Sequence, residues 1–161
     1  MKIGIDIGGS HIGIGLVDNN GSIVLKKETF IKDKTNIESR IERYITENVI
    51  EILQAYGVNQ IGIAVPGTVT DKEIIKAVNL GIKNYEIGTI IQENLLKLGY
   101  TVDVKLKNDG KCAALAEQKY GALKGYDNSI FLCIGTGVGS AVIFNGKLLE
   151  PKNVPGFEFS H

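Results

Sequence analysis

The feature that most restricts the fold of this chain is a glycine-rich pattern that occurs twice, once at each end. The first copy is Asp6-Ile7-Gly8-Gly9-Ser10-His11-Ile12-Gly13-Ile14-Gly15-Leu16-Val17, followed by Asn19-Asn20-Gly21-Ser22-Ile23-Val24-Leu25. The second is Cys133-Ile134-Gly135-Thr136-Gly137-Val138-Gly139-Ser140-Ala141-Val142-Ile143, followed by Asn145-Gly146-Lys147-Leu148-Leu149. Each reads as strand, tight glycine turn, strand, Asn-Gly turn, strand, because Asn-Gly between β-rich runs supplies the positive-φ residues of a short hairpin loop. A hairpin repeated at the head of two segments implies two similar domains rather than one long sheet.

Between the copies the period changes. Thr35-Asn36-Ile37-Glu38 fits a helix-start capping box, and Ile37, Ile41, Ile45, Val49, Ile52 and Tyr56 then fall on one helical face until Gly57 stops the run. Gln60 to Val65 is a short apolar strand entering a turn at Pro66-Gly67. Residues 86–98, with Ile87, Ile90, Ile91, Leu95 and Leu98, predict a second helix closed by Gly99. Thr101 to Leu106 alternates as a strand, and Asp109 opens an Ala-rich helix to about Tyr120. Three leading antiparallel strands followed by alternating helices and strands predict an α/β, ribonuclease-H-like (actin/hexokinase) domain with a mixed sheet over residues 1–121. Residues 122–127 read as a link, and residues 122–161 as the incomplete start of a second, similar domain. Without a covering helix, its strands are expected to expose Ile130, Leu132, Val142 and Ile143 and to favour a homo-oligomer.

Eighteen basic residues balance eighteen acidic ones, which argues against nucleic acid or an anionic membrane as the main partner. No signal peptide or membrane span is read from the sequence, so the expected setting is cytoplasmic. Cys112 and Cys133 are too few and too far apart to form a zinc site by themselves.

The candidate chemistry sits in the turns. Gly8 and Gly9 let backbone N–H groups approach phosphate oxygens, and Ser10 adds a hydroxyl. Asp6, at the strand's end, is placed to hold Mg²⁺ through water. Gly135, Thr136 and Gly137 form a matching turn, and two such turns can grip one polyphosphate from both sides. Asn108-Asp109 lies where a strand meets a helix. Asp109 reads either as a general base or as an ordinary helix N-cap.

These motifs together resemble the ROK family of sugar kinases. They are Asp6-x-Gly8-Gly9-Ser10, Val65-Pro66-Gly67, Ala77-Val78-Asn79-Leu80, Asn108-Asp109-x-x-x-Ala113-Ala114-Leu115-Ala116-Glu117, the second glycine turn, and Gly156-x-Glu158-x-x-His161. The resemblance implies ATP-dependent phosphorylation of the 6-hydroxyl of a hexose or amino sugar, with Asp109 as base. It implies Asn79, Asn108, Glu158 and His161 as sugar ligands, the two glycine turns on nucleotide phosphates, and Mg²⁺ near Asp6. In the family the histidine also often binds zinc, but the zinc cysteines that follow it are absent from this sequence. Ser140 and Ser160 replace glycines usual in the family. The expectation is therefore a chain poor in kinase activity and zinc when alone. Two other readings compete: a non-catalytic sugar-binding or dimerising module, and a sugar-responsive regulator without its DNA-binding domain, for which neither basic excess nor room before the first strand is found. Other kinases and ATPases of the superfamily are disfavoured by the Asn108-Asp109 block and the Glu158/His161 spacing.

Overall fold

The computed structural model describes residues 1–134 and 138–150. The elements run β1 (Lys2–Ile7), β2 (His11–Val17), β3 (Ile23–Phe30), α1 (Ile37–Tyr56), β4 (Gln60–Val65), β5 (Thr68–Val69), β6 (Ile74–Ala77), a single 3-10 turn (Val78–Leu80), β7 (Ile82–Tyr85), α2 (Ile87–Lys97), β8 (Asp103–Asn108), α3 (Asp109–Tyr120), β9 (Ser129–Ile134), β10 (Val138–Phe144) and β11 (Lys147–Leu148). They form two compact units that divide between Lys107 and Asn108.

The first unit is built on a five-stranded sheet in the order β3-β2-β1-β4-β8. β1 is antiparallel to β2 and β2 to β3, whereas β1 and β4 run parallel, giving the expected mixed sheet with three leading antiparallel strands. Isoleucine at every second position of β1 and β2 turns one face inward: Ile3, Ile5, Ile7, Ile12 and Ile14 are buried. The helical period supplies the other side of the core through Ile37, Ile41, Ile45, Val49 and Ile52 of α1 and Ile87, Ile91 and Leu95 of α2. The α1 helix ends as its sequence predicts, on Gly57 at φ 60°, whose N–H donates to the Leu53 carbonyl at 3.0 Å.

Its start differs from expectation. No capping box forms: Asn36, at φ 50°, occupies the cap position without a side-chain bond. The Thr35 N–H and hydroxyl instead donate to the Asp33 carboxylate, both at 2.9 Å. A charged acceptor two residues away outcompetes the helix end for that hydroxyl. Tyr56 and Leu98, placed by periodicity on buried faces, are exposed at and just beyond helix ends.

Residues 68–85, to which the sequence pattern assigns no element, hold a further sheet. β5, β6 and β7 form a small antiparallel sheet whose order follows the chain. Strands of two to four residues are too short for alternation to register.

In the second unit β9, β10 and β11 make an antiparallel sheet on which α3 packs. The Asn145-Gly146 hairpin forms as read, with φ of 50° and 71°, the left-handed pair that a type I′ turn needs. The observed division and the boundary expected at residues 121 and 122 differ by one helix. α3 buries Ala114 against β9 and β10, and residues 121–126 fold back on its end. There the Glu117 carbonyl accepts from Gly121 and Leu123, and its carboxylate from Ala122. Ser140, where the family usually has glycine, is buried in β10, and its φ is not positive. Among the described residues no helix is long and apolar enough to cross a membrane.

Candidate functional site

In the first unit the candidate residues gather where β1 and β4 end. Because these strands are parallel, Ile7 and Val65 leave the sheet at one edge, and each enters a glycine turn. One glycine there is required by space: a Cβ on Gly67, at φ 97°, would lie 2.2 Å from the Lys76 carbonyl oxygen, whereas one on Gly8 would press on the movable His11 ring at 2.9 Å. The first turn closes through the Gly8 N–H, which donates to the His11 carbonyl at 2.9 Å. Ser10 is exposed, and its carbonyl accepts from Ile31 at 2.8 Å.

Asp6 is exposed at the end of β1, and its Oδ2 lies 3.6 Å from His11 Nε2. An exposed carboxylate suits a cation that keeps its water shell. Among the described residues no group of three or more His, Cys, Asp or Glu side chains is placed to hold a metal directly. His11 was not singled out in the sequence, although strand pairing could have found it. Asp6 faces Gly13 across the β1–β2 ladder, and a residue two positions along from a cross-strand partner is a diagonal neighbour.

Asn79 joins the same group. It is exposed in the 3-10 turn, and a Cβ on Gly9 would sit 3.6 Å from its Cβ. Its carbonyl accepts from Lys34 Nζ at 2.5 Å. No sequence signal pointed to Lys34, which is 45 residues away from Asn79.

In the second unit Asp109 is not the N-cap of α3. Asn108 is the N-cap of α3, its Oδ1 accepting from the Lys111 N–H at 3.1 Å. Asp109 is therefore the first helical residue, exposed, with Oδ1 on the N–H of Gly110 at 2.8 Å. A carboxylate in the first helical turn interacts favourably with the helix dipole. Gly135, Thr136 and Gly137 of the second turn, and Glu158 and His161, lie outside the described residues.

A mixed sheet led by three antiparallel strands, with glycine turns at its carboxyl edge, defines a protein of the actin/hexokinase (ribonuclease-H-like) group. Within that group the chain belongs to the ROK family, whose profile matches residues 2–156. It is 30% identical over 159 residues to a glucokinase of Thermotoga maritima, covering 99% of this chain and 49% of that protein. It is 32% identical to a xylose repressor of Bacillus subtilis over 163 residues, covering 97% of this chain and 40% of that one. Among solved structures, a ROK family glucokinase from Streptomyces griseus in complex with glucose and AMPPNP superposes with a TM-score of 0.80. Its identity is 27%, and the match covers 99% of this chain and 48% of that one. The chain thus spans about half the length of the relatives it matches.

Proposed function

We propose that this chain carries the sugar-binding portion of an ATP-dependent kinase that phosphorylates the 6-hydroxyl of a hexose or amino sugar, and that alone it is a poor catalyst. Asp109 takes the proton of the sugar hydroxyl as that oxygen forms its bond to the γ-phosphorus and the bond to the ADP oxygen breaks. Because such transition states are loose, the carboxylate chiefly orients the nucleophile. Asn79, Asn108, Glu158 and His161 hold sugar hydroxyls. Gly8, Gly9, Ser10, Gly135, Thr136 and Gly137 hold phosphates. Mg²⁺, held by Asp6 through water, would neutralise charge on the phosphate oxygens.

The observation that carries this reading is the exchange of roles at the start of α3. Asn108 takes the N-cap place on Lys111, and Asp109, exposed in the first helical turn, has one carboxylate oxygen on Gly110 and turns the other to the sugar hydroxyl in this reading. The likeness to a glucokinase and to a structure solved with glucose and a nucleotide analogue supports the substrate class.

The test is Asp109→Asn, measured by glucose binding and by coupled turnover with Mg-ATP. The expected result is glucose affinity within a few-fold of wild type and residual turnover lower by roughly a hundredfold or more. Unchanged residual turnover would remove Asp109 from the chemistry, and robust turnover by the wild-type chain would overturn its status as a poor catalyst. A second reading, a sugar-responsive regulator, is favoured by the xylose repressor likeness. It requires sugar binding without nucleotide binding in the same titrations.

A further inference from the structure

We propose that Lys34 is a positioning residue that locks the Asn79 turn against the first glycine turn; this rests on the reading that Asn79 holds sugar. The segment after β3 crosses between the two turns and is fastened at both ends. Its first residue, Ile31, donates its N–H to the Ser10 carbonyl at 2.8 Å. Three residues later Lys34 Nζ donates to the Asn79 carbonyl at 2.5 Å. Asn79 in turn lies against Gly9, where an added Cβ would come within 3.6 Å of its own. Ser10, Ile31, Lys34, Asn79 and Gly9 thus form a ring of two hydrogen bonds and one close approach, three separate stretches of chain in one circuit.

The local backbone explains why a lysine is wanted. The 3-10 turn at Val78–Leu80 is closed by the Gly81 N–H on the Val78 carbonyl at 3.1 Å. The next residue, Ile82, is already paired with Ala77 in the β6–β7 ladder. The turn does not continue, and the Asn79 carbonyl is one of the orphan acceptors of a helical end. A cation there is favoured by both hydrogen bonding and the local dipole, and a flexible lysine stem spans the gap. The segment that carries Lys34 is itself braced. Asp33 accepts twice from Thr35, and its carbonyl accepts from Arg40 Nη1 at 2.5 Å. Moving Lys34 moves Asn79, and Asn79 stands beside the glycine turn proposed to carry phosphate, close enough that a Cβ on Gly9 would touch it.

The experiment uses the 161-residue chain and four variants: Lys34→Ala, Lys34→Arg, Asn79→Ala and, as a control, Lys32→Ala. Two readouts are taken, backbone amide resonances without ligand and glucose affinity by titration. In Lys34→Ala the amides of Gly9, Ser10 and Asn79 shift, and glucose binding weakens about three- to tenfold, the scale of one lost charge-assisted bond acting through a second residue. Lys34→Arg restores both, Lys32→Ala changes neither, and midpoint temperatures without sugar stay within a degree or two, as for exposed substitutions. Two results overturn the proposal: those three amides unmoved in Lys34→Ala, or Asn79→Ala weakening glucose binding while Lys34→Ala does not. Glucose affinity unchanged in Asn79→Ala sinks the sugar reading of that residue and the functional half of the proposal with it. In that case the amide shifts still decide whether the ring exists.

Discussion

The two glycine hairpins are alike in sequence and differ in what they bury. In β1 and β2 every second residue is inward and shielded, and Ile5, Ile7, Ile12 and Ile14 are all at most 3% exposed. In β9 the same kind of alternation leaves Ile130 63%, Leu132 54% and Ile134 82% exposed. Both turns place their glycine at positive φ, Gly21 at 89° and Gly146 at 71°, but only the second has its asparagine, Asn145 at φ 50°, there too. The difference lies in the partner. α1 and α2 cover the isoleucine face of the first sheet, whereas the buried side chains of the second, Ala141 and Ile143, stand opposite Phe131 and Ser129, on the face away from Ile130, Leu132 and Ile134. A hairpin is specified locally, but a core is specified by what packs on it.

The largest expected effect comes from deleting the same kind of side chain in each unit. Ile45→Ala, at a fully buried position, is expected to lower unfolding free energy by about 2–5 kcal/mol. Leu132→Ala on the open strand should change it by no more than about 0.5 kcal/mol. Chemical denaturation of both variants decides the point, and equal losses would mean that Leu132 on β9 is as well covered as Ile45 on α1. The exposed strip of Ile130, Leu132 and Ile134 should also draw copies of the chain together, as large apolar patches on strand edges do. Sedimentation is expected to show concentration-dependent association that Leu132→Lys abolishes, and a wild-type monomer at high concentration would refute it.

How much of this was legible in the sequence follows from range. Signals carried by adjacent residues read correctly: the Asn145-Gly146 hairpin, the strand Gln60–Val65, the glycine stop at Gly57 and the Ala-rich helix from Asp109. Signals that depend on competition did not. Thr35 offered a cap, but Asp33 was the better partner for it. Asp109 was offered as the cap of α3, and Asn108 takes that place. The small sheet of β5 to β7 was missed because its pairing partners are turns apart and its strands carry too few residues for a period. Within the candidate site, Asp6, Gly8, Gly9 and Ser10 were marked by one contiguous motif. The approach of Asn79 to Gly9 and the reach of Lys34 to Asn79 are long-range facts of packing.

Glycine offers a second contrast between the units. Gly67→Ala must place a methyl 2.2 Å from a backbone oxygen at positive φ, so the turn itself has to move, and a loss of about 3 kcal/mol is expected. Gly146→Ala meets nothing closer than the Asp127 carboxylate at 3.5 Å, and only the left-handed backbone opposes it, at about 1 kcal/mol. Thermal unfolding of both variants gives the difference, and a Gly67→Ala variant as stable as Gly146→Ala would mean that the β4–β5 turn is loose.

The smallest expected effect concerns polar groups between the layers of the first unit. Tyr85 Oη donates to the Glu38 carbonyl and to Glu42 Oε2, both at 3.4 Å, and Asn94 donates to the other Glu42 oxygen at 2.8 Å. Burial, and then the neighbouring Glu42 carboxylate, hold the Tyr85 phenol well above its ordinary value of 10.0. The folded state therefore keeps this proton more tightly than the unfolded state does. The contribution is fully present below pH 10 and is lost as pH rises beyond it. Denaturation midpoints of the wild-type chain should fall above that pH more steeply than those of Tyr85→Phe, which has no proton to lose there. Parallel curves for the two would place the phenol in water and remove the one titrating link between β7 and α1.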